Sequence, residues 1–292
     1  MNQETNGNVH ARHLRDTKKP QGGADRSVAD LFRLDGRTII VTGGGGFLGT
    51  AAARAILESG GDVVCLDVVP IPRPDNWDPV QETATKLGRH LGYVQCSTDN
   101  PESVASAFAS LRKSLKNPIR GLVACAGISE NGPSTVFSGS TFSRVLEINV
   151  TGTFLVAQAV ANELLETQNS GSLVFIASMS GYVSNRGVDT AAYNSSKAAV
   201  HQLGRSLAAE WGSRVGMPLI RVNTLSPGYI RTAISAESMA KPGMKDQWEG
   251  DNMLLRTSTV DEYRAPIVYL LGDGSSFMTG ADLRVDGGHC AW

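Results

Sequence analysis

The 292-residue chain predicts an α/β fold: one doubly wound parallel sheet with helices on both faces. Two observations carry that expectation. Short apolar runs alternate with helical stretches from Leu34 onward, and strands buried on both faces read as continuous apolar runs. A glycine cluster directly follows the first run and opens the first helix, where a doubly wound sheet places its tightest turn.

The elements follow in order. Apolar runs at 38–41, 63–66, 121–125, 173–177, 219–225 and 282–285 read as strands. Segments 51–58, 102–115, 142–166, 193–211 and 260–271 read as helices. Residues 1–30 are polar and are expected to form a flexible tail ahead of a domain at 31–292. Segment 232–258 interrupts the alternation with Ser, Ala, Met, Lys, Pro242 and Gly243. An excursion of that length reads as a substrate loop rather than a connector.

Composition removes several classes of function. The formal net charge is −1, and no basic stripe is visible, so nucleic acid is not an expected partner. No apolar run reaches the length of a membrane span, and the N-terminus lacks the apolar core of a secretory signal. Cys65, Cys96, Cys125 and Cys290 are scattered, without a C-x-x-C pair or a His cluster. They read as reduced thiols of a cytoplasmic protein, with no metal site.

The glycine cluster is Thr42-Gly43-Gly44-Gly45-Gly46-Phe47-Leu48-Gly49. Glycine lets the chain reverse tightly and lets the backbone approach a pyrophosphate, and the helix N-terminus adds free N–H groups and partial positive charge. Gly43, Gly45, Gly46, Phe47, Leu48 and Gly49 are therefore candidate cofactor contacts. Asp67 closes the second strand, 24 residues after Gly43. An acid there accepts hydrogen bonds from the adenosine ribose hydroxyls. It also repels a 2′-phosphate, by roughly 4 kcal/mol for unit charges about 4 Å apart at an effective dielectric near 20. NAD is accordingly expected over NADP. The bland alternative is a strand-end Asp that caps the next turn.

Tyr193 and Lys197 stand one helical turn apart and so share a face. A free phenol titrates too high to serve as a base near neutrality, and a neighbouring ammonium lowers it. The pair suits the movement of an alcohol proton.

The chain resembles the short-chain dehydrogenase/reductase family over residues 34–292. The resemblance rests on an ordered set of motifs: the glycine turn, Ala124-Cys125-Ala126-Gly127, Ile148-Asn149-Val150, Ser178-Met179-Ser180-Gly181, Tyr193-x-x-x-Lys197, Pro227-Gly228-Tyr229-Ile230-Arg231-Thr232 and Val285-Asp286-Gly287-Gly288. It implies a Rossmann-like fold and hydride transfer between a nicotinamide cofactor and an alcohol or ketone. It implies Tyr193 as acid/base, with Lys197 lowering its pKa and holding the nicotinamide ribose. It further implies Ser178 on the substrate oxygen, and Asn149 holding a water that links Lys197 to solvent. Ala126, Gly127, Pro227, Gly228, Ile230 and Thr232 would contact the cofactor, as would Ser97. The S-x-x-G signature selects Ser178; Ser180, 13 residues before Tyr193, is the competing serine. A homotetramer is expected on the same ground.

Three departures from the family pattern stand out. Phe47 replaces a common glycine, Ala124-Cys125 replaces a pair of asparagines, and Ser97 stands where an adenine-binding Asp is usual, with Asp99 two places on. Within the family, stretches such as residues 32–36, 177–181 and 221–230, and terminal Trp292, resemble the fungal polyol and ketose enzymes: D-arabinitol 2-dehydrogenase, sorbose reductase and mannitol 2-dehydrogenase. D-arabinitol/D-ribulose is therefore an expected substrate pair; Asn131, Asn185, Arg186 and Asp189 are either its hydroxyl partners or solvated loop residues. The alternatives are a larger secondary metabolite read by segment 232–258, or an NAD-binding regulator without turnover.

Overall fold

The computed structural model describes residues 26–212, 214–231, 236 and 239–292. Seven strands form one parallel sheet: β1 (Thr38–Thr42), β2 (Asp62–Asp67), β3 (Leu91–Gln95), β4 (Ile119–Ala124), β5 (Gly171–Ile176), β6 (Ile220–Pro227) and β7 (Asp282–Val285). Their order across the sheet is β3-β2-β1-β4-β5-β6-β7. The chain therefore leaves the sheet in opposite directions after β1 and after β4. That divergence opens a crevice at the carboxyl ends of the two central strands, where such folds hold ligands.

Alternate residues of each strand enter different cores, which is why the runs are apolar throughout. Ile40, Val64, Leu66, Leu122 and Phe175 pack with α4 (Pro101–Leu111), α6 (Gly152–Glu166) and α7 (Ala191–Gly212). Ile39, Val41, Val63, Cys65 and Val123 pack on the other face with α2 (Phe47–Glu58), α3 (Pro74–Leu87) and α9 (Arg264–Leu271). Burial of both faces supplies the main stabilising term.

Several expectations are corrected. β3 is an additional edge strand, half-buried and carrying Gly92 and Gln95, so its apolar signal is weak. α3 is also additional; it begins at Pro74 and contains Pro79, residues that read as helix breakers. The stretch read as one helix is α5 (Gly139–Leu146), a π turn (Glu147–Thr151) and α6. The tail does not extend to residue 30: Ser27 caps α1 (Val28–Leu31), and Arg26 pairs with Asp273 at 2.7 Å. Residues 1–25 lie outside the described residues. Segment 232–258 holds a further helix, α8 (Met244–Gly250).

Arg221 on β6 is a buried structural cation. Its guanidinium donates to Ser275 Oγ and to the carbonyls of Leu270, Gly272 and Met278 at 3.0–3.1 Å, closing the open end of α9. Burial pushes its pKa down to about 10. Arg221→Met removes four buried hydrogen bonds but leaves Leu270 O with Ser172 Oγ and Ser275 Oγ, Gly272 O with Ser275 Oγ, and Met278 O with Asn223 Nδ2, and we expect a loss of about 1–3 kcal/mol in a urea unfolding series. An unchanged midpoint would show that the Ser172, Ser275 and Asn223 donors suffice.

Candidate active site

The crevice after β1 and β4 is a cavity of about 850 Å³ running from the glycine turn to Tyr193. The turn forms its first wall. Gly43 has φ +61°, and a side chain there would meet Ala126 N at 2.9 Å. A Cβ on Gly49 would run into the Gly43 carbonyl. Gly44 N donates to Leu66 O, and Gly46 N to Gly43 O, which closes the loop onto the end of β2. Gly46 caps α2 in extended conformation without a side-chain hydrogen bond, and Phe47, Leu48 and Gly49 line the cavity. This cradle fits a dinucleotide phosphate: close backbone approach, and helix N–H groups that no side chain occupies.

Asp67 faces the same loop. Its Oδ2 accepts from Gly45 N at 2.9 Å, and its Oδ1 accepts from Val69 N at 3.1 Å. The carboxylate therefore caps the following turn and also sits in the cavity wall. Ser97 lines the cavity with its hydroxyl donating to Asp99 Oδ1 at 2.6 Å. The two polar groups that stand near the missing adenine Asp are thus bonded to each other. Ala126 and Gly127 line the floor, and Pro227, Gly228 and Ile230 the far wall. A Cβ on Gly228 would meet the Asp286 backbone at 2.8 Å. Thr232 lies outside the described residues.

The structure brings Ser178, Tyr193, Lys197 and Asn149 to the inner end of this cavity. Tyr193 and Lys197 share one face of α7, with Lys197 Nζ 5.5 Å from the centre of the phenol ring. Ser178 caps a short 3-10 turn (Met179–Gly181), its Oγ accepting from Ser180 N at 3.1 Å. Burial pushes the Tyr193 phenol up, and the nearby Ser178 hydroxyl draws it down less strongly. Asn149 sits in the π turn. Its amide donates to Ile128 O and Ser196 Oγ at 2.9 Å, and its Oδ1 accepts from Ile128 N at 2.8 Å. The side chain thereby ties helix, strand end and α7 together, and its own polar atoms are all engaged.

The expected effect of Lys197 on Tyr193 takes a different form here. Burial pushes Lys197 down to about 8, and its Nζ donates to Ile176 O at 2.7 Å. Tyr193 stays above its ordinary value, because burial disfavours the phenolate more than the Ser178 hydroxyl favours it.

The candidate hydroxyl partners do not converge. Asn131 and Asn185 line the cavity, but Asn185 is bonded to Tyr229 Oη and Thr190 Oγ1. The Arg186 side chain is 78% exposed and faces Asp251 at 3.7 Å. Asp189 lines a separate hollow of about 230 Å³. The substrate end is instead walled by Met179, Val188, Tyr229 and Trp248, with the last two rings stacked at 4.1 Å and 5°. Trp248 lies within segment 232–258. It is the only tryptophan among the Ser, Lys and Met of that segment.

The family model described as enoyl-(acyl carrier protein) reductase matches residues 47–289. A short-chain dehydrogenase/reductase of Aspergillus versicolor, notP′, is 63% identical over 292 residues, covering all of both chains. The chain belongs to the short-chain dehydrogenase/reductase family. It is an oxidoreductase of that family, with the seven-stranded sheet expected of it. A ribulose-forming D-arabinitol 2-dehydrogenase of Candida tropicalis is 34% identical over 283 residues, 91% of this chain and 96% of that protein. The NADPH-dependent 3-quinuclidinone reductase of Rhodotorula rubra superposes with a TM-score of 0.84 at 33% identity, covering 94% of this chain and 99% of that one. The expected closeness to the polyol group is corrected: the Aspergillus relative is far nearer than the arabinitol enzyme. Among the described residues no helix is long and apolar enough to cross a membrane, and no cluster of His, Cys, Asp or Glu suits a metal.

Proposed function

We propose that the protein interconverts a bulky, largely apolar ketone and its secondary alcohol with NAD(H). The observation that carries this reading is the substrate end of the cavity. A stacked Tyr229–Trp248 pair with Met179 and Val188 favours an extended apolar body, whereas a polyol needs convergent polar partners. The greater identity to the Aspergillus relative than to the arabinitol enzyme supports the same choice.

The dinucleotide, when bound, supplies or receives the hydride. The Gly43–Gly49 cradle would hold its phosphates, and Asp67 would accept from the ribose hydroxyls. In reduction Tyr193 Oη gives its proton to the carbonyl oxygen; in oxidation it takes that proton back. Ser178 donates to the same oxygen as charge builds on it. Lys197, cationic near neutrality, lowers the cost of leaving Tyr193 as phenolate. Asn149 holds α7 and the strand end that carry these groups.

The test is a paired panel followed by NADH or NADPH absorbance. Acetonaphthone, tetralone and their carbinols are set against D-arabinitol, D-mannitol and L-sorbose. We expect kcat/KM for the aryl compounds to exceed that for the polyols by at least about 10-fold, the order set by a few methylenes in an apolar pocket. Better turnover of D-arabinitol would return the protein to the polyol group. No turnover of any compound, with NADH still bound, would favour the non-catalytic alternative.

A further inference from the structure

A buried polar chain lies directly behind the 3-10 turn that carries Ser178. His201, on α7 one turn beyond Lys197, is 3% exposed. Its Nε2 lies 2.7 Å from Ser226 Oγ on β6. Ser226 Oγ donates to Asp282 Oδ1 on β7 at 2.7 Å, and Thr224 Oγ1 donates to the same oxygen at 2.5 Å. Because the Ser226 proton is committed to Asp282, His201 Nε2 must be the donor to Ser226. The Tyr182 phenol, at the end of the Ser178 turn, lies near Asp282; burial and that carboxylate push its pKa up, and its ring lies 4.3 Å from that of His201. Four elements thus meet on one carboxylate.

The turn itself is held against this chain. Gly181 N donates to Ser178 O at 3.0 Å, so Ser178 and Gly181 move as a unit. A Cβ on Gly181 would meet His201 Cε1 at 2.7 Å and Ala198 N at 2.9 Å. The His201 ring therefore fills the space beneath Gly181, and only glycine leaves room for it.

We propose that His201, Ser226 and Asp282, closed by Tyr182, form a clamp that positions Ser178 against the Tyr193 phenol. His201 is a positioning residue, since it touches neither cavity nor cofactor cradle. Its charged neighbours are Asp282 from β7 and Arg205 and Lys197 from α7. Burial outweighs Asp282 and holds His201 below its ordinary pKa, so the neutral Nε2–H form persists near neutrality. The Ser178 hydroxyl favours the Tyr193 phenolate, so a loosened clamp raises the pH at which Tyr193 becomes a base.

The inference rests on Tyr193 as the base, and not on the substrate. The experiment is the pH profile of kcat/KM for alcohol oxidation, with the carbinol of acetonaphthone, or with D-arabinitol if the panel favours the polyol. NADH affinity is measured alongside. Ser226→Ala and His201→Leu should raise the midpoint by roughly half to one pH unit, the size of one hydrogen bond, at unchanged NADH affinity. His201→Gln, whose amide N–H can still donate to Ser226, should recover most of the wild-type midpoint. Tyr182→Phe removes one oxygen from a half-exposed ring and keeps the test open if the buried variants fail to fold; it should shift the midpoint in the same direction by less. Midpoints unchanged in Ser226→Ala and Tyr182→Phe, or NADH affinity falling in step with turnover, would overturn the clamp.

Discussion

Tyr193→Phe should lower kcat by about 10²- to 10⁴-fold, the usual weight of a general acid–base group, and leave NADH binding near its wild-type value. The phenol oxygen faces Ser178 at the inner end of the cavity, while the glycine cradle sits at the far end of the same crevice. Removal of one oxygen leaves the ring in place beside Lys197. Turnover is read by NADH absorbance and binding by NADH fluorescence. A fully active variant would move the proton-transfer role to another group. A variant that loses NADH binding as severely as turnover would show that the phenol acts through the fold instead.

The second large effect concerns cofactor choice. Asp67→Ser should raise kcat/KM with NADP by about 10²-fold and lower it with NAD. Removal of a charge that repels a 2′-phosphate is worth up to roughly 4 kcal/mol at about 4 Å, close to three decades. The gain is expected to fall short of that limit, because Asp67 also accepts from Gly45 N and Val69 N, and a single hydroxyl cannot replace both bonds. The measurement is a pair of saturation curves with each cofactor. A wild-type preference for NADP would remove the basis for assigning discrimination to Asp67.

The strands legible in the sequence are those buried on both faces. Ile39-Ile40-Val41 and Val63-Val64-Cys65 feed two cores at once, so every position is apolar. β3 escapes because one edge is half-exposed and its residues need not be apolar. α3 escapes because Pro74 suits a first helical position and Pro79 lies only five residues further on, so local composition argues for a loop. In the site, the i, i+4 spacing of Tyr193 and Lys197 is local, and the sequence displays it directly. The Tyr229–Trp248 stack joins residues from two separate segments, and nothing in either segment announces the other. The same holds for Lys197 and the Ile176 carbonyl, a contact between α7 and the end of β5 that fixes where the ammonium sits.

The π turn at Glu147–Thr151 has a bearing on numbering as well as on shape. One surplus residue is wound into that turn, and each residue of an α-helix subtends about 100°. A chain one residue shorter between Leu146 and Gly152 would coil without interruption, and everything upstream would rotate by about that angle relative to α6. Val145, now fully buried, would swing out of its packing, and Arg144 would leave the cavity rim. A gap placed there in any pairing of this chain with a relative thus changes which side chains face the crevice, even where every flanking letter still agrees.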